Sequence, residues 1–191
     1  MKIIKTITVL FLFIIALQSC SEDDNPVIIN EEELITTVTA IFTPDGGGEN
    51  ITLRFQDLDG EGGNTPNITV SSSFEKNKTY RGSVTFLNEF ADPAQDVTPE
   101  IKTEADEHQM FYITTGSLNA FTYDTAASNF DANGLPLGLQ CVFTTTGDAS
   151  GTVTMILRHK PNKSASGVPE GIIDNANGST DVSVTFSIDV K

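Results

Sequence analysis

The sequence predicts an all-β domain, and three observations lead to that prediction. Apolar and polar residues alternate with a period of two along most of the chain, as in strands that bury one face. Clusters of Gly, Pro, Asn and Asp, such as Pro44–Gly48, separate these segments. No segment shows the apolar stripe of an amphipathic helix. We therefore expect an antiparallel β-sandwich of immunoglobulin-like or similar type, with a closed barrel as the alternative.

About nine strands are predicted, and the last of them has the clearest pattern. Between Val182 and Val190 the even-numbered positions are apolar and the odd-numbered positions are polar. The predicted strands, in chain order, are Leu34–Phe42, Ile51–Gln56, Asn67–Ser71, Thr79–Leu87, Gln109–Thr115, Leu118–Asp124, Leu137–Thr145, Thr152–His159 and Val182–Val190. A short helix fits only between Pro93 and His108.

Composition excludes several classes of function. The chain has 191 residues and a formal net charge of −15, which argues against nucleic-acid binding because phosphate contacts need clustered Lys and Arg. The 2 cysteines exclude a disulfide scaffold and an all-cysteine metal site. One of them, Cys141, alternates with Leu139 and Phe143, so we expect a buried, unreactive thiol.

The first 19 residues have the features of a lipoprotein signal peptide. Lys2 and Lys5 precede an apolar run, Ile7–Leu17, which is too short to span a bilayer. The sequence Leu17-Gln18-Ser19-Cys20 resembles the lipobox of bacterial lipoproteins. That resemblance implies cleavage before Cys20 and acylation of its sulfur atom. An ordinary secretory signal that happens to end near a cysteine is the alternative.

An acidic tether, residues 20–30, is expected to follow the signal peptide, and residues 31–191 are expected to form a single β-sandwich domain. The start of the tether, Ser21–Pro26, resembles the surface-export signal of Bacteroidota lipoproteins, which implies the outer face of the outer membrane. Removal of residues 1–19 takes away two lysines and no acidic residue, so the mature chain is still more acidic. Lipid on Cys20, and not electrostatic attraction, must then hold it to an anionic membrane.

A glycine-rich acidic loop is the first candidate metal site. Asp57, Asp59 and Glu61 match positions 1, 3 and 5 of a calcium-binding loop, and Gly62 matches the glycine at position 6. Position 12 is Ile68, where an EF-hand has a bidentate Glu. Only the front half of the motif is therefore present. A loop that binds Ca²⁺ and an acidic hairpin loop without an ion both fit the pattern.

The second candidate lies at the end of an acidic segment, residues 89–108. Asp106, Glu107 and His108 offer two carboxylates and an imidazole, which suit Zn²⁺ or a similar divalent ion. The other histidine of the chain, His159, falls on the apolar face of its strand. The two histidines and a carboxylate would form a three-ligand site if the fold joined the two strand ends. Otherwise His108 is a solvated residue and His159 a hydrogen-bonded residue at the rim of the core.

Catalysis is not expected. Neither histidine lies beside a recognisable nucleophile motif, and Gly46-Gly47-Gly48 opens no helix that would bind a phosphate. Trp is absent and there are only 3 Tyr, which weakens any site that stacks sugars. We therefore expect a protein that binds a ligand or a partner without transforming it.

Three segments resemble a loosely annotated family of small all-β lipoproteins of Bacteroidota that accompany TonB-dependent receptors. They are Gln56–Gly63, Thr79–Glu89 and Asp106–Tyr112. The resemblance implies a surface lipoprotein that captures a nutrient for such a receptor, and a divalent metal or metal complex is the nutrient that the acidic segment suits. His108 is the first residue we expect to take part.

Two alternative functions remain open on the sequence alone. The first is a structural or adhesive module in which Ca²⁺ at Asp57, Asp59 and Glu61 stiffens a loop. The second is a haem-binding lipoprotein with His108, Met110 or His159 as the axial ligand.

Overall fold

The structure, a computed structural model, describes residues 33–60 and 62–191. The predicted signal peptide, Cys20, the tether and Glu61 lie outside the described residues. Within the described ranges the chain forms ten strands, one α-helix and two short 3-10 turns. Their bounds are β1 Thr37–Pro44, β2 Ile51–Gln56, β3 Asn67–Val70, β4 Thr79–Asn88, β5 Gln95–Asp96, α1 Thr98–Thr103, β6 His108–Thr114, β7 Thr122–Tyr123, a 3-10 turn Ala127–Asn129, β8 Gln140–Thr144, β9 Ala149–His159, a 3-10 turn Ile173–Asn175 and β10 Ser179–Val190.

The strands form two antiparallel sheets that are not closed into a barrel. The larger sheet has the order β3-β2-β1-β4-β8-β7, with β5 paired to the end of β4. The smaller sheet has the order β10-β9-β6. The prediction of an all-β sandwich is confirmed, and the barrel alternative is wrong.

The core lies between the two sheets, where both inner faces are apolar. In β1, Val38, Ala40 and Phe42 are buried and alternate with more exposed residues. In β10, Phe186 and Ile188 are buried and alternate with exposed polar residues in the same way. The period-two pattern of the sequence therefore marks the faces that pack against each other.

Cys141 is buried in the larger sheet, as the sequence predicts. It pairs with Gly82 on β4, where a Cβ atom would lie 2.5 Å from both Cys141 Sγ and Phe42 Cε1. Only glycine leaves room for this close approach of side chains. Burial raises the pKa of the Cys141 thiol to about 12, so the group stays protonated and unreactive at neutral pH.

Several element bounds differ from those predicted. The strand β5 was not predicted, and the predicted strand Leu118–Asp124 is reduced to the two residues of β7. In that segment the side-chain amide of Asn119 donates a hydrogen bond to Thr144 O at 2.7 Å. This side-chain hydrogen bond takes the place of a backbone hydrogen bond that a longer β7 would make to β8. The predicted short helix is confirmed as α1, with Pro99 in its first turn.

The connection between β3 and β4 is hydrogen bonded to the end of the smaller sheet. Phe74 N–H donates to Asp189 O at 2.8 Å, and Lys191 N–H donates to Phe74 O at 2.9 Å. Phe74 is itself fully buried. Backbone hydrogen bonds therefore join the two halves of the sandwich at the end where β10 finishes.

Among residues 33–60 and 62–191, no helix has the length and apolar character needed to cross a lipid bilayer.

Candidate metal centre

Two histidines lie side by side at one end of the smaller sheet. His108 is the first residue of β6 and His159 is the last of β9, and because these strands are antiparallel the two residues pair directly. Met110 and Leu157, two positions along each strand, belong to the core, so both imidazoles lie on the core side. The ring centroids are 4.8 Å apart with an interplanar angle of 21°. His108 is buried and not a solvated residue.

A β-bulge in β10 brings a carboxylate to the histidines. The register between β9 and β10 shifts between Thr180 and Val182, so Asp181 is the extra residue of the bulge. If the alternation of β10 continued back from Val182, the side chain of Asp181 would point to the outer face of the sheet. The bulge turns this side chain toward the histidines instead. The carboxylate of Asp181 lies 3.6 Å from His108 Nε2 and 3.7 Å from His159 Nδ1.

A second carboxylate comes from the segment before β1, which belongs to the other sheet. Glu33 Oε1 lies 2.8 Å from His108 Nε2, and Glu33 Oε2 lies 3.8 Å from His159 Nδ1. Its side chain is 9% exposed, compared with 0% for His108 and 5% for His159. Residues of both sheets therefore meet at this point.

Glu33, His108, His159 and Asp181, which we call the four-residue group, can hold a metal ion. One ligand atom from each residue lies within 4.8 Å of the others. Four ligands at about 2.0–2.2 Å from a tetrahedral metal are about 3.3–3.6 Å apart. The four nitrogen–oxygen distances of the group are 2.8, 3.6, 3.7 and 3.8 Å, and they involve both oxygens of each carboxylate. Rotation of the two carboxylates, so that one oxygen of each faces both imidazoles, would bring the ligand atoms from within 4.8 Å of one another toward tetrahedral spacing.

Three atoms of Glu33 and the two histidines that face into the group lack hydrogen bonds to any described residue. Within the described part of the chain, Glu33 Oε2, His108 Nε2 and His159 Nδ1 are buried and have no hydrogen-bond partner. The 2.8 Å approach of Glu33 to His108 Nε2 does not have the alignment of a hydrogen bond. Each such atom costs about 1–3 kcal/mol of unfolding free energy when it stays unsatisfied.

Charge also favours a cation at the four-residue group. The group contains two carboxylates, and an imidazole that binds a metal ion is neutral, so the ligands of a bound ion would carry a formal charge of −2. Like charges in a buried position repel strongly, because little solvent screens them. A divalent cation would cancel this charge and would give Glu33 Oε2, His108 Nε2 and His159 Nδ1 a partner.

Hydrogen bonds behind the histidines orient the nitrogen atoms that face the group. His108 Nδ1 donates to the carbonyl oxygen of Glu104 at 3.1 Å, and because a carbonyl only accepts, Nε2 keeps its lone pair for a ligand. His159 Nε2 lies 3.4 Å from Glu107 Oε2, which leaves Nδ1 facing the group. Burial acts to raise the pKa of Glu107, but hydrogen bonds from His159 and Lys160 outweigh it and lower that pKa. A carboxylate or carbonyl behind a histidine is typical of metal sites.

The connection from β9 to β10 makes a tight turn beside the group. Gly178 has a φ of +73°, and a Cβ atom there would lie 2.2 Å from the carbonyl oxygen of His159. The guanidinium of Arg158 donates to Asn177 O at 3.1 and 2.5 Å and to Gly178 O at 2.6 Å. These contacts hold the chain on the path that leads from His159 to Asp181.

A buried ion pair between Lys163 and Asp131 also holds the connection from β9 to β10 in place. Lys163 Nζ lies 2.8 Å from Asp131 Oδ2, with the two side chains 4% and 2% exposed, and donates to Ala105 O at 2.6 Å. Burial lowers the pKa of Lys163. Burial acts to raise the pKa of Asp131, but the hydrogen bond from Lys163 outweighs it and keeps that pKa below its usual value. Here the chain itself supplies the cation that a buried carboxylate needs.

Only some of the residues that the sequence predicted for this site belong to the four-residue group. His108 and His159 are members of it. Glu107 contacts His159 from outside, and Asp106 is exposed and not a member of the group. The carboxylates of the four-residue group are therefore not those that the sequence suggested.

The glycine-rich loop, Asp57–Asn64, turns its carboxylates to its own backbone. Asp57 Oδ1 accepts from the N–H groups of Asp59 at 3.2 Å and Gly60 at 2.9 Å. Asp59 Oδ2 accepts from the backbone and side-chain amides of Asn64 at 2.8 and 2.6 Å, which lowers the pKa of Asp59. Glu61 lies outside the described residues. The loop accounts for these two carboxylates without an ion.

Sequence reasoning missed Glu33 and Asp181. Glu33 precedes the first strand and belongs to no motif. Asp181 stands at an odd-numbered position, where the alternation of the last strand predicts a solvent-facing residue. One feature of the sequence could have identified Asp181. It stands directly before the regular alternation that begins at Val182, and Asp is uncommon in regular strands, so it indicates a disturbed pairing.

The chemistry of the group narrows the choice of ion. Two imidazole nitrogens with two carboxylate oxygens suit Zn²⁺ and neighbouring first-row metals, whereas Ca²⁺ takes oxygen ligands. Four protein ligands also complete a tetrahedral centre, which is the form of sites without an open position for a substrate. Comparisons of the chain with models of protein families, with curated proteins and with solved structures found no match.

Proposed function

We propose that this protein is a non-catalytic metal-binding lipoprotein. Its domain binds one divalent transition-metal ion, with Zn²⁺ as the first choice, through the four-residue group. The observation that carries the proposal is the convergence of two buried imidazoles and two carboxylates whose inward-facing atoms include three without a hydrogen-bond partner among the described residues. An ion satisfies these atoms and cancels the charge of the carboxylates at the same time.

A binding role is favoured over catalysis because the four ligands come from the protein. Catalytic zinc sites keep a position for water or substrate, whereas this group fills a tetrahedron. Its members are between 0% and 9% exposed, so a substrate has little access to the ion.

We further propose that the protein is anchored in the outer membrane through lipid on Cys20, exposed at the cell surface, and that a TonB-dependent receptor is its partner. The support is the lipobox-like sequence Leu17–Cys20, the acidic Ser21–Pro26 and the three segments that resemble lipoproteins of this kind. In this setting the domain captures a divalent metal ion and passes it to the receptor.

A structural role for the ion is the second candidate, and one observation favours it. Glu33 leads into the larger sheet, whereas His108, His159 and Asp181 belong to the smaller one. An ion at the group would therefore tie the two sheets together, as the inter-sheet disulfide does in antibody domains.

Calcium and haem receive less support. The carboxylates of Asp57 and Asp59 accept hydrogen bonds from their own loop. The two imidazoles stack on each other at 4.8 Å, and Met110 is 1% exposed, so none of the three proposed axial ligands faces open space.

The proposal is tested by titrating metal-free protein with Zn²⁺, Mn²⁺, Ca²⁺ and haem, using calorimetry and thermal melts. We expect one Zn²⁺ per chain and a higher melting temperature, because a ligand that binds only the folded state stabilises it. The His108→Ala variant should lose both effects. The matched control Asp106→Asn, which removes a nearby exposed charge, should keep them. Absence of Zn²⁺ or Mn²⁺ binding to the wild-type protein would sink the proposal.

The same experiment separates capture from a structural role. A capture protein should stay folded without the ion and exchange it with a chelator within minutes. A structural ion should leave an unfolded or much less stable chain when it is removed.

A further inference from the structure

One of the four ligands differs from the other three in how it is held. His108, His159 and Asp181 lie on three adjacent strands of one sheet, in which β9 is paired with both β6 and β10. Backbone hydrogen bonds join these three strands, and the residues on either side of Asp181 are both paired with β9. Glu33 precedes β1 and lies in no strand.

The segment that carries Glu33 has few other attachments. Among the described residues, the first backbone hydrogen bond along the chain is from Thr36 N–H to Leu87 O, at 2.9 Å, and Glu33, Leu34 and Ile35 make none with another described residue. Leu34 is 54% exposed, and Ile35 packs only partly buried against the core. Among contacts with other described residues, the carboxylate of Glu33 thus makes the main polar contact of residues 33–35.

Glu33 is also the side of the group nearest to solvent. Its side chain is 9% exposed, whereas Asp181 and His108 are fully buried. Outward movement of Glu33 and Leu34 would open a path to the two imidazoles and would break no backbone hydrogen bond between described residues. The same movement of His108, His159 or Asp181 would require a sheet to come apart.

We infer that Glu33 is a releasable fourth ligand, through which metal binding fastens residues 33–35 to the smaller sheet. The inference rests on the proposed function, because it requires that the group binds an ion. In the loaded protein the ion holds Glu33 against the three sheet ligands. In the metal-free protein these three remain in place as a half-formed site, while residues 33–35 detach and leave the path to the site open. Binding of the metal ion and ordering of residues 33–35 are therefore coupled in a single equilibrium.

The direct test is a measurement of backbone order by NMR relaxation in metal-free and Zn²⁺-loaded protein. The amide order parameters of Leu34 and Ile35 should rise from below about 0.6 to about 0.85 on loading, while those of Val184 and Phe186 in β10 should stay at the rigid value in both forms. Equal order parameters at Leu34 and Ile35 in the two forms would overturn the inference. This comparison uses the wild-type protein and does not depend on the folding of a variant.

A kinetic test uses Glu33→Gln with Glu100→Gln as the matched control, since Glu100 is exposed on α1. We expect Glu33→Gln still to bind Zn²⁺, to release it to a chelator at least about tenfold faster than wild type, and to leave Leu34 and Ile35 mobile when loaded. Glu100→Gln should behave as wild type. Release from Glu33→Gln at the wild-type rate would contradict the inference while leaving the metal site itself intact. Failure of the wild-type protein to bind any metal would instead contradict the proposed function.

Discussion

The four-residue group and the glycine-rich loop Asp57–Asn64 are both rich in carboxylates, yet the two regions treat them in opposite ways. In the loop, Asp57 and Asp59 accept hydrogen bonds from amides up to five residues away in the chain. In the group, Glu33 and Asp181 come from opposite ends of the described chain and face two buried imidazoles. The loop satisfies its carboxylates with its own amides, whereas the four-residue group could hold a metal ion.

The difference shows that spacing along a chain is a poor guide to a metal site in a β-sandwich. Local spacing selects residues that can satisfy one another within a turn, which is what the loop does. A site that retains an ion needs ligands that converge and have no better partner nearby. In a sandwich these ligands come from the ends of separate strands.

The largest effect is expected at the buried pair of Asp131 and Lys163, which shows what happens when a buried carboxylate loses its cation. Lys163→Met should lower the free energy of unfolding by about 3–5 kcal/mol, because the charge of Asp131 is left buried without compensation. Chemical denaturation measures this change. The control Lys102→Met, at an exposed lysine of α1, should stay within about 0.5 kcal/mol of wild type. A stable Lys163→Met protein would remove the main electrostatic argument for an ion at the four-residue group.

The next effect compares the two carboxylate-rich regions directly. At a Zn²⁺ concentration of about one hundred times the dissociation constant, wild type should gain about 2.7 kcal/mol of unfolding free energy. His159→Ala should lose this gain, whereas Asp59→Ala should retain it. The measurement is the unfolding free energy with and without Zn²⁺. If Asp59→Ala loses the gain and His159→Ala keeps it, Zn²⁺ binds at the loop and not at the four-residue group.

A smaller effect is expected from the carboxylate behind His159. Glu107→Gln should weaken Zn²⁺ binding by about 10–100-fold, because the hydrogen bond that orients the imidazole and supports its basicity becomes weaker. Competition with a chelator of known affinity gives the dissociation constant. The neighbouring exposed carboxylate provides the control, so Asp106→Asn should change the affinity much less. Equal weakening by both variants would point to a general charge effect and not to the contact with His159.

The smallest effect concerns the pH dependence of the loop. The folded pKa of Asp59 is lowered by hydrogen bonds from Asn64, so this carboxyl should titrate below its usual value of 3.8. Its contribution to stability is therefore complete above the pKa of the unfolded chain and is lost as the pH falls through the lower folded pKa. A side-chain NMR titration measures the value, and Asn64→Ala should move it back toward 3.8. A titration at or above 3.8 in the wild-type protein would show that the loop does not satisfy this carboxylate.

The sequence predicts the sheets well because their signal is local. Each buried position in β1 and β10 follows from its neighbours two residues away, and this needs no knowledge of the partner strand. The same reasoning puts His159 on an apolar face and His108 at the start of a strand. It does not pair them, because strand order depends on contacts between residues far apart in the chain.

The two carboxylates of the four-residue group could not be predicted, and the physical reason differs between them. Asp181 reaches the group because a bulge disturbs the register with β9, and a bulge is a property of two strands together. Glu33 lies in no strand and takes part only because β1 begins next to the end of the smaller sheet. A search that asks which acidic residues stand just outside a strand would have included Glu33.

The two ends of the last strand, β10, are held by different kinds of contact. It begins near Asp181, where side chains of Glu33 and the two histidines meet, and it finishes at the backbone hydrogen bond from Phe74 to Asp189. Outward movement of the segment before β1 would therefore break side-chain contacts at the first of these ends, whereas movement at the second would break backbone hydrogen bonds of Phe74. A force or a fluctuation that pulls on the start of β1 thus reaches the histidines before it reaches the remainder of the core.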